Sequence, residues 1–184
     1  VLIEDLNAIG MTAKANFDCL PMDDEECAII VDSIIQSAVT DNVNVAVLNL
    51  MNHNITDSGC IKLEQLLLSS SDLTTDGVVN IQSLNLSGNN ITSKGCASIC
   101  SALARNKLVK SLNLTFNPLG RMGGFHLSEM LDLNTSIVEL SAGNCDLTTD
   151  NIIAIMNTLR QKFVDHFLRN NTASGYHISN TAHI

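Results

Sequence analysis

The side chains that could do chemistry in this 184-residue chain are six cysteines, five histidines and a scatter of carboxylates. The cysteines are Cys19, Cys27, Cys60, Cys96, Cys100 and Cys145, and no two of them form a CxxC pair. Cys96 and Cys100 stand one helical turn apart in an apolar pattern. Two thiolates on one helix face could start a zinc site, but zinc needs four ligands and no second cluster supplies the others. The thiols therefore read as small buried hydrophobes in a compartment that keeps them reduced. His53 is a lone imidazole, and no GxSxG, HExxH, P-loop or GxGxxG sequence occurs. The chain is expected not to be an enzyme, and to use no metal, cofactor or small-molecule substrate.

Charge and composition narrow the partners. The net charge is −9, which opposes binding to nucleic acid or to an anionic membrane surface, since both need Lys and Arg against phosphate. No run of apolar residues is long enough to span a bilayer, so no membrane insertion is expected. Hydrophobic residues make up 45% of the chain but aromatics only 3%, so the core must be built from many small aliphatic side chains. Such side chains fill an interior well when they recur at fixed positions.

They do recur. Residues 81–95 and 109–123 share one template: apolar residues at offsets 0, 3, 5 and 10, Asn at offset 8 and Gly at offset 14. In the first these are Ile81, Leu84, Leu86, Asn89, Ile91 and Gly95; in the second, Val109, Leu112, Leu114, Asn117, Leu119 and Gly123. Residues 45–59 fit with Val45, Leu48, Leu50, Ile55 and Gly59, and residues 137–151 with Ile137, Leu140, Ala142, Leu147 and Asn151. Leu48, Leu84, Leu112 and Leu140 are spaced by 36, 28 and 28 residues. The Asn-X-Ser/Thr triplets, among them Asn54-Ile55-Thr56, Asn90-Ile91-Thr92 and Asn134-Thr135-Ser136, fall at repeating places and need no glycan to explain them; secretion is not expected.

Each template position has a physical task. Offsets 3 and 5 alternate as on a strand, so both side chains point inward. The Asn at offset 8 sits where the chain leaves the strand, and its amide can satisfy backbone groups of that turn and of the neighbouring coil. Asn89 and Asn117 fill this ladder, while His53 and Cys145 replace the Asn in two copies and should weaken it. Thr56 and Thr92 are placed to cap the following helix. Apolar residues then recur every four positions, which makes a helix with one buried stripe. The side chains of one copy cannot offset the cost of ordering its backbone, so stacking is obligatory.

An irregular earlier copy is expected, with Ala13, Ala15 and Leu20 at offsets 3, 5 and 10 and Asp18 in the Asn place. The acidic run Asp23–Glu26 then opens a helix through Ile29, Ile30, Ile34 and Ile35. The copies divide as 10–44, 45–80, 81–108, 109–136 and 137–164 within a single domain of residues 1–168. A further strand is expected near Leu168, and residues 169–184 form a frayed tail. Ser69–Gly77 reads as a surface loop.

A 28-residue period with Asn at offset 8 and a full helix per copy resembles the ribonuclease-inhibitor-like class of leucine-rich repeats. The resemblance covers residues 12 to about 163 and is strictest over 81–163. It implies an α/β solenoid: a right-handed β-α superhelix with a parallel sheet on the concave face and helices on the convex one. It implies, further, a protein-protein interaction module in the cytoplasm, such as a scaffold or adaptor of a cytoskeletal or ciliary assembly. The alternative within the class is a ligand sensor or enzyme inhibitor, whose arrays are generally longer. A remote alternative is a GTPase activator of the Ran type, for which Arg121 on the turn side would be the charge-stabilising residue.

Partners in this class commonly sit on the concave strand face. Here that face carries Asn49 and Met51, Asn85 and Ser87, Asn113 and Thr115, Glu139 and Ser141, with Phe116 next to the rim. It lacks the Tyr, Trp and Arg that usually anchor binding, and exposed Asn and Ser also serve simply to hydrate a half-exposed sheet.

Overall fold

A computed structural model describes residues 13–16, 22–40, 45–69 and 79–172. Strands and helices alternate: β1 Ala13–Asn16, α1 Asp24–Thr40, β2 Val45–Asn49, α2 Asp57–Ser69, β3 Ser83–Asn85, α3 Ser93–Leu103, β4 Ser111–Asn113, α4 Gly120–Leu133, β5 Glu139–Ser141 and α5 Thr149–Thr172. The strands form one parallel sheet in chain order, β1-β2-β3-β4-β5. Sequential parallel strands joined through helices give an α/β solenoid.

The template sets the register. Leu48 pairs with Leu84, Leu84 with Leu112 and Leu112 with Leu140, so offset 3 of every copy lies in one row across the sheet. Leu48, Leu50, Leu84, Leu86, Leu112 and Leu114 point between sheet and helices and are buried there with Leu63, Leu67, Ile99, Leu103, Leu127 and Leu131. Cys27, Cys60, Cys96, Cys100 and Cys145 are free thiols in that layer. Burial and the nearby Asp24 carboxylate push the Cys27 thiol up to about 12, and burial raises Cys60 further, so these groups stay protonated.

Two details of the sequence reading change. β1 pairs through Ala15 with Leu48 and Asn16 with Asn49, so Ala15, not Ala13, occupies offset 3, after an irregularity between Ala13 and Lys14. The shift is by two residues, which preserves which face each side chain would take. It also moves offset 10 to Met22, which is buried and whose carbonyl accepts from Asn54 N, as the Ile55 carbonyl accepts from Asn90 N. Asp18 and Leu20 lie outside the described residues, as does most of the 69–77 segment. At the other end no strand forms at Leu168: α5 runs through it to Thr172, making a helix of 24 residues where α3 has 11. Phe163-Val164-Asp165-His166-Phe167-Leu168 lacks a helix breaker, so nothing halts α5 where the period would turn it back.

The aspartates at helix starts reach beyond their own helices. Asp57 lies in the first turn of α2, yet it accepts from Thr92 N (2.8 Å), Thr92 Oγ1 (2.6 Å) and Gly95 N (2.9 Å) at the start of α3. Asp24 does the same one repeat earlier, for Thr56 N and Gly59 N. Each carboxylate therefore caps the next repeat's helix and clamps two repeats together. This explains the glycine at offset 14, because a Cβ on Gly59 would meet Asp24 Oδ1 at 2.6 Å and one on Gly95 would meet Asp57 Oδ1 at 2.6 Å. Burial works against ionisation of Asp57, but the Thr92 and Gly95 hydrogen bonds outweigh it and hold its carboxyl below the ordinary range.

Candidate functional site

The strands present a polar concave surface. Asn49, Met51, Asn85, Asn113 and Thr115 are half-buried there, Glu139 and Ser141 are exposed, and Ser87 is buried. The sheet register puts Asn49, Asn85, Asn113 and Ser141 in one row. Part of this polarity serves the fold itself. Asn85 Oδ1 accepts from Ser87 N (3.1 Å) and Ser87 Oγ (2.8 Å), and Asn113 Oδ1 accepts from Thr115 N (3.0 Å). These local bonds fix the asparagine rotamers and occupy their carbonyl side.

Beyond the strands the chain turns at offset 7, and there every repeat from the second onward has a left-handed backbone: Asn52 (φ 58°), Gly88 (68°), Phe116 (59°) and Asn144 (52°). Glycine and asparagine are the residues that tolerate this region. Gly88 is also required sterically, since a Cβ there would collide with Asn52 Oδ1. Phe116 is the exception. A bulky residue in that well costs about 1–3 kcal/mol of strain, and its ring is 62% exposed, so burial returns little of that cost. Pro118 and Arg121 are exposed beside it, and Met122 follows on the first turn of α4. The rim of the fourth repeat thus gathers apolar surface and a cation that the flat strand face lacks.

Beneath the turns runs a ladder of side-chain bonds. Asn89 Nδ2 donates to the Leu50 and Leu86 carbonyls (2.8 and 2.9 Å) and its Oδ1 accepts from Ile55 N (3.1 Å). Asn117 repeats this with Leu86, Leu114 and Ile91 N. Cys145 keeps only the donor side, its Sγ reaching the Leu114 carbonyl at 3.1 Å, while Leu119 N turns to the Asn117 carbonyl instead. His53 is buried at the ladder position of the second repeat.

A second ladder was missed in the sequence. Asn106 and Asn134, both 1% exposed, close the return turn between helix and strand. Asn106 Nδ2 donates to the Leu67 carbonyl, and Asn134 Nδ2 to those of Leu103 and Asn106. Their side-chain carbonyls accept from Val109 N and Ile137 N. In the fifth repeat Lys162 takes this place, its Nζ donating to the Asn134 carbonyl. Recurrence at offset 25 was the available signal. A glycan on Asn134 would have to replace these buried bonds. Among the described residues no group of His, Cys, Asp and Glu is placed to hold a metal ion, and no helix is long and apolar enough to cross a membrane.

Comparison with known proteins agrees with this architecture. A family model described as "Leucine Rich repeat" matches residues 41–63 and 79–100. Among solved structures, actin-binding site 2 of leiomodin-1 superposes with a TM-score of 0.67 at 19% identity, over 95% of this chain and 96% of that one. The C-terminal domain of tropomodulin from Caenorhabditis elegans gives a TM-score of 0.57 at 15% identity, over 77% of this chain and 98% of that one. No curated protein matches the sequence.

Proposed function

We propose that this chain, which has the leucine-rich-repeat fold, is a non-enzymatic protein-binding module, a scaffold or adaptor whose partner is actin or an actin-based assembly. The observation that carries a binding role is Phe116: an exposed aromatic held on a left-handed backbone, at a turn where the other repeats use Asn or Gly. Strain kept at an exposed position is a cost to the fold that a partner contact would offset. Aromatic and Arg side chains are the usual anchors of interfaces, and Phe116 and Arg121 share this rim. The half-polar concave row from Asn49 to Ser141 would supply the adaptable hydrogen bonds around that anchor. Actin is favoured as the partner because a domain named as an actin-binding site shares this fold over nearly the whole chain.

The test is co-sedimentation with actin filaments, together with the rate of filament elongation. Wild type should bind or alter elongation, and Phe116→Gly should weaken that effect at least about tenfold. Glycine accepts φ 59° freely, so the variant should melt no lower than wild type. Absence of any effect of the wild-type chain on filaments or monomers would overturn the actin reading.

A further inference from the structure

Among the described residues, the two ladders and the sheet end at the fifth repeat. At each inner joint two backbone N–H groups of one repeat donate to two carbonyls of the next. Leu50 and Asn52 donate to Asn85 and Ser87 (2.9 and 2.8 Å), Leu86 and Gly88 to Asn113 and Thr115, and Leu114 and Phe116 to Ser141 and Gly143. The equivalent donors of the fifth repeat are Ala142 N and Asn144 N. They face the end of the array, where the described residues supply no sixth strand. The side chains show the same truncation. Leu147 and Leu159 are only partly buried, although the same positions are fully buried at Ile55 and Ile91, and at Leu67, Leu103 and Leu131. Ile152 (51% exposed) and Met156 (61%) stand where Cys96 and Cys100 are buried in the third repeat.

We propose that this open end, the free edge of β5 with the apolar flank of α5, docks an extended segment of a partner protein that has apolar side chains at alternate positions and basic residues between or beside them. Continuity defines the chemistry: the surface is the inter-repeat joint with one side missing, so the occupant is a strand that supplies carbonyls to Ala142 N and Asn144 N and apolar groups to Leu140, Leu147 and Met156. Charge selects the source. Glu139, Asp146 and Asp150 are exposed around the edge, against Arg160 on α5. A second copy would bring the same carboxylates and another net charge of −9 to the joint.

The probe is a synthetic peptide with the sequence of residues 109–117, Val-Lys-Ser-Leu-Asn-Leu-Thr-Phe-Asn, which has the required alternation and one Lys. Its control carries serine in place of both leucines. Titrated into the full 184-residue chain, the peptide should bind saturably below about 1 mM, weaken with added salt and slow amide exchange at Ala142 and Asn144. The control should not bind. The double variant Ile152→Ser with Met156→Ser, at exposed positions, should lose binding at least about tenfold. Phe116→Gly should leave it unchanged, which separates this site from the actin-binding rim. The proposal is overturned by any of four results: no saturation, equal binding of the control or of the double variant, a free chain whose Ala142 and Asn144 amides are already protected, or a dimer closed through this edge.

Discussion

The joint between the second and third repeats and the joint between the fourth and fifth have the same register but are fastened differently. The first has Asp57 clamping the start of α3 and Asn89 bonding three backbone groups across and within the turn. The second has neither. Arg121 stands where Asp57 stood, so α5 opens on its own Thr148–Asn151 pair, and Cys145 offers one weak donor. The apolar rows run through both, and the aligned leucines are what hold the register. The comparison teaches that leucine positions determine the fold, whereas Asp and Asn determine how tightly neighbouring turns are held. The loosely fastened joint lies beside the strained Phe116 and β5, so both surfaces proposed to engage a partner fall on the least clamped repeats.

The largest expected effect breaks the common element of both joints. Leu112→Asp places a carboxylate in the buried row and should cost about 5 kcal/mol or more, enough to unfold the array in a urea melt. Asn85→Asp on the concave face keeps the acceptor that Ser87 uses and should melt close to wild type. Next, Asn89→Ala leaves Leu50 O, Leu86 O and Ile55 N without their side-chain partner, for a cost of about 3 kcal/mol, while Cys145→Ala should cost about 1 kcal/mol. Equal costs would erase the distinction between the two joints. The smallest effect tests the clamp. Because the Asp57 carboxyl is held below its ordinary value, its contribution is present above the unfolded value of about 3.9 and is lost as pH falls through the lower folded value. Asp57→Asn should therefore lower the melting temperature near neutral pH by the equivalent of at most about 1 kcal/mol, since the group is largely solvated. The gap to wild type should close at low pH, a convergence that thermal melts across the acid range would detect.

Much of this was legible in the residues, because each position of the 81–136 region satisfies two requirements at once: strand alternation at Leu84 and Leu86, and amide bonding at Asn89. Ala13 and Ala15 carry no such double constraint. Two small apolar residues separated by one position fit offset 3 and 5 in either of two frames, and only pairing with Leu48 selects one. Leu168 keeps the period while its neighbours keep helical character, and local helix propensity prevails there. Alternation assigns the concave residues to one face, but that Asn85 and Asn113 spend their carbonyls on the residue two positions along could not be read from spacing. Nothing in the residues around Asp57 marks it as the cap of a helix 35 residues away.

The sequence by itself determined the repeat, the inward rows, the Asn ladder and the parallel order of the strands, because these follow from periodicities that act within a single coil of chain. Only the tertiary structure decided which residues join one coil to the next: the Asp24 and Asp57 clamps, the Asn106 to Lys162 ladder and the left-handed turn that strains Phe116. Those depend on the stacking distance and rotation between repeats. The collective packing of every buried row sets both, and no local stretch of residues specifies them.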